Sequence, residues 1–249
     1  MKVIFNADDF GYSRGVNLGI LEAYLRGPVR SATLMAGMPG FAHAVELAWA
    51  HPGLKVGAHL TLSTGRSVGG AYRTLTDETG RFPPLAEVER RARSGETDLC
   101  EVEAEYEAQI QRILASGLSP DHLDSHHHCQ SLPGIASVFL RLAGKYGLAA
   151  RSYGPAPLTG AHAEVLTTEA FDGTFHGRGA TVSRLKRILS SHREASLEIM
   201  CHPGYVDAPL YASSSYSVRR ACELEVLTSP ETAALLARLG LRPCSFSEL

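Results

Sequence analysis

The chain alternates short apolar runs with amphipathic stretches almost from end to end, and that rhythm limits the folds open to it. KVIFNA (2–7) reads as a buried strand, and RGVNLGILEAYLRG (14–27) follows with helical spacing up to a glycine. SATLMAG (31–37) and LKVGAHL (54–60) repeat the strand pattern on either side of a helical FAHAVELAWAH (41–51). Residues 61–97 hold glycines, a Pro-Pro pair and mixed charge, which predicts an excursion over the surface. The series continues with a helix over 98–117, a strand in DHLDSH and a helix over 133–146. GLAAR (147–151) reads as a short strand, 181–192 as a helix and SLEIMCH (196–202) as a strand, with two helical stretches before LRPCSF. Residues 152–180, rich in Gly, Pro and Thr, carry no clear period. Alternating β and α units imply a parallel sheet, open or closed. No repeat or linker divides the chain, so a single α/β domain over residues 1–249 is expected, a length common among β/α barrels.

In such folds ligands gather at the carboxyl ends of the strands. The polar clusters of this chain fall there: Asp8 and Asp9 after the first strand, His59 at the end of the third, His126 to His128 at the end of the fourth and His202 at the end of SLEIMCH. Each has an ordinary explanation when taken singly, such as an Asx turn or helix cap for Asp8-Asp9 and a core histidine for His59. Four runs delivering ionisable groups to one face suggest a constructed site. The Asp9-Phe10-Gly11 triplet also spells a kinase motif, but no room exists upstream for the other kinase elements.

Strand alternation puts Lys55, Gly57 and His59 on one face, with Gly57 leaving space below His59. Likewise His122, Asp124 and His126 share a face, which makes His126 the inward histidine and Asp124 its expected supporting partner. The strand is ending at His127 and His128, so either of them remains an alternative ligand. Pro203 biases His202 toward an extended geometry at the rim. Two imidazoles and one carboxylate of the Asp8-Asp9 pair suit Zn, Mn, Fe or Co with positions left for water and substrate. The second carboxylate can then take a proton from water, and His202 can give one to a leaving group. This is the constellation of a metal-assisted hydrolase.

Composition narrows the partners. A net charge of −2 gives no reason to expect nucleic acid or a membrane surface, and no apolar run is long enough to span a bilayer. Five scattered cysteines without a C-x-x-C pair point to a reducing compartment. Two aspartates by residue 9 leave no secretory h-region, so a soluble cytoplasmic protein is expected.

Four motifs carry a family resemblance: NADDFG (6–11), AHLTL (58–62), HLDSHHH (122–128) and HPG (202–204). The chain resembles the YdjC-like carbohydrate deacetylases, among them the chitooligosaccharide deacetylases, from residue 3 to about 228. The resemblance implies a distorted β/α barrel related to polysaccharide deacetylases and hydrolysis of N-acetyl groups from an acetylated sugar. A homo-oligomer, a dimer, is the expected assembly. The resemblance also implies a divalent metal, magnesium by family, held by Asp9, His59 and His126, with Asp8 as general base. By analogy with related deacetylases, His202 is the candidate acid. The imidazoles favour zinc or another transition ion instead. One departure is Cys129-Gln130 after the triple histidine, where relatives often carry a further histidine. Tyr72, Arg73, Tyr153, Tyr205 and Tyr216 are expected to contact sugar rings.

Overall fold

The computed structural model describes residues 1–152 and 165–249. In chain order the elements are β1 (Lys2–Phe10), α1 (Arg14–Arg26), β2 (Ser31–Leu34), α2 (Phe41–Ala50), β3 (Lys55–Leu60), α3 (Leu85–Ser94), α4 (Leu99–Ala115), β4 (His122–Ser125) and α5 (Ile135–Tyr146). They continue with β5 (Ala149–Ala150), β6 (Ala170–Asp172), α6 (Val182–Ser191), β7 (Ser196–Cys201), α7 (Ala208–Ser213), α8 (Val218–Leu227), α9 (Pro230–Arg238) and β8 (Pro243–Cys244).

Among the described residues seven strands run parallel in the order β5-β4-β3-β2-β1-β7-β6, and β8 pairs with the start of β1. A single bridge from Ala150 to Thr167 joins the β5 edge to the segment leading into β6. The result is a distorted, incompletely closed β/α barrel, as expected. Strands β1, β2, β4 and β7 are buried along nearly their whole length, which explains the continuous apolar runs that open β1 and β2, whereas β4 buries the polar side chains His122, Asp124 and Ser125. Helix starts follow capping chemistry: Ser13, Asp98, Thr181 and Ser229 each accept a backbone N–H from the first turn of α1, α4, α6 and α9.

Three local readings change. The first strand runs on through Asp8 and Asp9 to Phe10. Helix α3 lies inside the 61–97 excursion. Three helices rather than two separate β7 from β8, because Asp207 caps an additional short helix. The excursion is held by one face of α4, where Val68 N and Gly69 N donate to Glu105 at 2.9 Å and Thr61 N donates to Gln109 at 2.9 Å. Beside that polar stripe, on the same buried side of the helix, Val102, Tyr106, Ile110 and Ile113 enter the core at helical spacing.

Gly57 does leave space, but the space is taken by the His122 imidazole, where a Cβ at position 57 would intrude. Gly57→Ala is therefore expected to lower stability by about 1–3 kcal/mol through overpacking, measurable as a shift in the denaturant midpoint. An unchanged midpoint would show that the ring can move aside.

Candidate active site

The carboxyl ends of β1, β3, β4 and β7 bring Asp8, Asp9, His59, His126 and His202 into one cluster. A bulge in β1 sorts the two aspartates. Pairing with β2 shifts register between Ala7 and Phe10, and Asp9 adopts φ 70°, a left-handed conformation uncommon outside glycine. Adjacent carboxylates thus reach different partners.

Asp9 faces the imidazoles. Its Oδ1 lies 3.2 Å from His59 Nε2 and 2.9 Å from His126 Nδ1, and the two ring nitrogens are 3.3 Å apart. Asp9 Oδ1 is buried, yet it is in hydrogen-bond geometry with no group among the described residues. Three donors at such spacings fit around one cation, since ligands at about 2.0–2.2 Å from a metal stand roughly 3.0–3.4 Å from one another. The Asp9 carboxyl is held well below the ordinary range: burial opposes ionisation, but His126 and the Arg220 guanidinium outweigh it. The His59 ring shows the complementary effect. Burial alone would lower its pKa, but Asp124, Asp9 and Asp8 push it up to about 10, so this spot draws positive charge, whether a proton or a metal.

Asp124 supports His59 rather than His126. Its Oδ1 lies 2.7 Å from His59 Nδ1, which directs His59 Nε2 toward Asp9 and His126. The difference arises because His126 leaves the strand: β4 ends at Ser125, and His127 and His128 both take left-handed φ values of 55° and 54°. The His127 ring lies against that of His126, with centroids 3.9 Å apart, and its Nδ1 is on Ser63 Oγ at 2.8 Å, while the His128 ring stands edge-on to Phe171. Burial pushes both His127 and His128 down to about 4. Neither joins the group formed by Asp9, His59 and His126.

Asp8 points to the barrel interior. Arg151 donates to both its oxygens, at 2.7 and 2.6 Å, and also to Glu198 at 2.7 Å, with Asp124 Oδ2 3.0 Å away. Asn6 adds a bond to Asp8 Oδ1 at 2.9 Å. Burial opposes ionisation of Asp8, but Arg151 holds its carboxyl well below the usual range. In a second cluster of possible donors, Asp8, His59 and Asp124, both carboxylates are already ion-paired to this same guanidinium, which competes with a cation for them.

His202 Nε2 lies 3.9 Å from Asp8 Oδ2. Glu223 accepts the His202 backbone N–H at 2.5 Å and faces His202 Nδ1 at 3.9 Å. Burial pushes His202 down to about 3, so its ring is neutral near pH 7. The loop carrying it docks on α1 at Gly19, where a Cβ would meet Gly204. At the rim Tyr216 stacks on His176 with ring centroids 4.2 Å apart, and both rings stand edge-on to His202.

Of the other rim residues, Tyr205 is turned outward and its hydroxyl bonds Glu22 on α1, and Arg73 pairs on the surface with Asp98 at 3.8 Å. Tyr72 packs against the core, and Tyr153 lies outside the described residues. Sequence reasoning missed Arg151, Glu198, Arg220 and Glu223. Arg151 carried a signal, as a charge at the end of GLAAR, and Glu198 shares the strand face of His202. Arg220 and Glu223 sit on α8, outside all four motifs, and carried none.

A profile of the YdjC-like protein family matches residues 2–238. The chain is 42% identical to a carbohydrate deacetylase of Brevibacillus brevis over all of both chains. It is also 42% identical to a carbohydrate deacetylase of Geobacillus stearothermophilus, over 98% of this chain and 96% of that one. The solved structure of an Enterococcus faecalis protein, provisionally named a cellobiose-phosphate cleavage protein, is 32% identical and superimposes with a TM-score of 0.89, covering 99% of this chain and 98% of that one. A peptidoglycan N-acetylglucosamine deacetylase, 11% identical over 99% of this chain and 86% of its own, shares the fold at a TM-score of 0.55. From its motifs, its barrel and these relatives together, the chain belongs to the YdjC-like protein family.

Proposed function

We propose that the protein is a metal-dependent hydrolase that removes N-acetyl groups from acetylated mono- or oligosaccharides, chitooligosaccharides among them. The observation that carries this reading is the meeting of Asp9, His59 and His126 beside a second carboxylate, Asp8, in a chain whose relatives are named carbohydrate deacetylases. Asp9, His59 and His126 would hold a divalent cation. Its donor set of two nitrogens and one oxygen favours zinc or another transition ion, while family resemblance favours magnesium. When bound, the cation supplies polarisation of the acetyl carbonyl and a lowered pKa for water.

The chain's own residues divide the proton work. Asp8, ionised and clamped by Arg151, accepts a proton from the attacking water. His202 begins neutral, with its Nε2 3.9 Å from Asp8 Oδ2. That gap must tighten on substrate binding, or be bridged by one water, for the ring to receive the proton and pass it to the departing amine. The products are acetate and the amino sugar in its ammonium form, which together carry both protons of the water, so no net proton is left on the protein. Tyr216 and His176 form an aromatic rim next to His202, suited to the face of a sugar ring. The five free cysteines fit a reducing cytoplasm, and we expect a homodimer there.

Protein supplied with a divalent metal should release acetate from N-acetylated chitooligosaccharides. Chelation should cut the rate by roughly 10²-fold or more, with recovery on readdition. Turnover indifferent to chelation would sink the metal dependence. A cation-loaded protein that releases acetate from no member of an N-acetyl sugar panel would favour another amide or ester as substrate, or a non-catalytic binding role.

A further inference from the structure

The two oxygens of Asp9 are divided between partners. Oδ1 faces the two imidazoles, while Oδ2 accepts from Arg220 Nη2 at 2.5 Å. Arg220 is itself fixed. It is buried on α8, its Nε donates to the Tyr216 carbonyl at 2.9 Å, and its carbonyl accepts from Gly204 N at 3.3 Å. Its remaining Nη1 is buried with no hydrogen-bond partner among the described residues. If Oδ2 turned away, both terminal nitrogens of a buried guanidinium would be unpaired, which is strongly unfavourable.

A carboxylate can bind a cation through one oxygen or through both. Resting on the cation reading above, we infer that Arg220 is a positioning residue that restricts Asp9 to coordination through Oδ1 alone, and so keeps a position on the cation open for water or the acetyl group. Arg220 also lies between the two halves of the site, because its backbone holds the Gly204 turn that carries His202. The role has an unusual signature. The guanidinium competes with a cation for the charge of Asp9, so its removal should not weaken cation binding, whereas loss of a merely structural support would.

The test uses Mn2+ alone, with free ion followed by electron paramagnetic resonance and bound water by solvent proton relaxation. In a six-coordinate ion with three protein ligands, freeing Asp9 Oδ2 to bind displaces one of about three waters. Arg220→Gln is therefore expected to lower relaxivity per bound Mn2+ by about a third while the dissociation constant stays equal or falls. Arg220→Lys keeps the buried charge and guards against a glutamine variant that does not fold, and its relaxivity should lie between the two. Wild-type relaxivity in a folded Arg220→Gln protein would overturn the assignment, as would Mn2+ affinity weakened tenfold in either variant. A different result, Mn2+ binding untouched by His59→Ala, would remove the cation reading itself and this role with it.

Discussion

Asp8→Asn is expected to cut acetate release by roughly 10²- to 10⁴-fold while the protein keeps its bound cation. The amide has nearly the size of the carboxylate but cannot take the proton of water. Arg151 remains anchored in the variant by Glu198 and Asp124, so the barrel interior should survive. Asp9, whose carboxylate belongs to the other side of the β1 bulge, is untouched. The measurement pairs kcat with metal content on one sample. Undiminished kcat would take Asp8 out of the base role, and loss of metal together with activity would place Asp8 among the ligands instead.

Arg151→Met should be the most destabilising single change in the site. The guanidinium is fully buried, with Asp8, Glu198 and Asp124 all within 3.0 Å. Removing it strands three carboxylates in the interior, a loss of about 3–5 kcal/mol for a broken buried ion pair. The deficit should depend on pH. Burial raises the Glu198 carboxyl from 4.5 to about 6 even with Arg151 beside it. A carboxyl raised in the folded state contributes stability below its unfolded pKa and loses it as pH rises through the folded value, so ionised Glu198 is a burden above pH 6. Asp8 has the opposite sign, since Arg151 depresses it and its contribution is lost only in strong acid. Without Arg151, Glu198 should be the first group to take up a proton, and the deficit should shrink between about pH 7 and pH 5. Denaturant midpoints at the two pH values decide this, and an equal deficit at both would contradict it.

Much of this molecule is legible in one dimension because periodicity and strand ends are local properties. The alternation of KVIFNA, SATL and KVGAHL with helical stretches reflects burial on both faces of a parallel strand, and burial of that kind leaves its mark residue by residue. Asp8, Asp9, His59, His126 and His202 were placed at one end of the sheet because parallel strands all deliver their carboxyl ends to the same side. Alternation failed at the first break in pleat. Asp124 was assigned to His126, but two left-handed histidines and the end of β4 detach His126, and Asp124 reaches across to the neighbouring strand and His59.

By itself, then, the sequence determined the β/α order and which side chains stand at the strand ends, since both follow from neighbours within a few residues. The tertiary structure alone decided who partners whom. Arg151 reaches Asp8 across 143 residues, and Arg220 reaches Asp9 across 211. Those pairings depend on barrel curvature, on a one-residue bulge in β1 and on the docking of α8, and no local pattern encodes a distance between elements that meet only when the sheet curls.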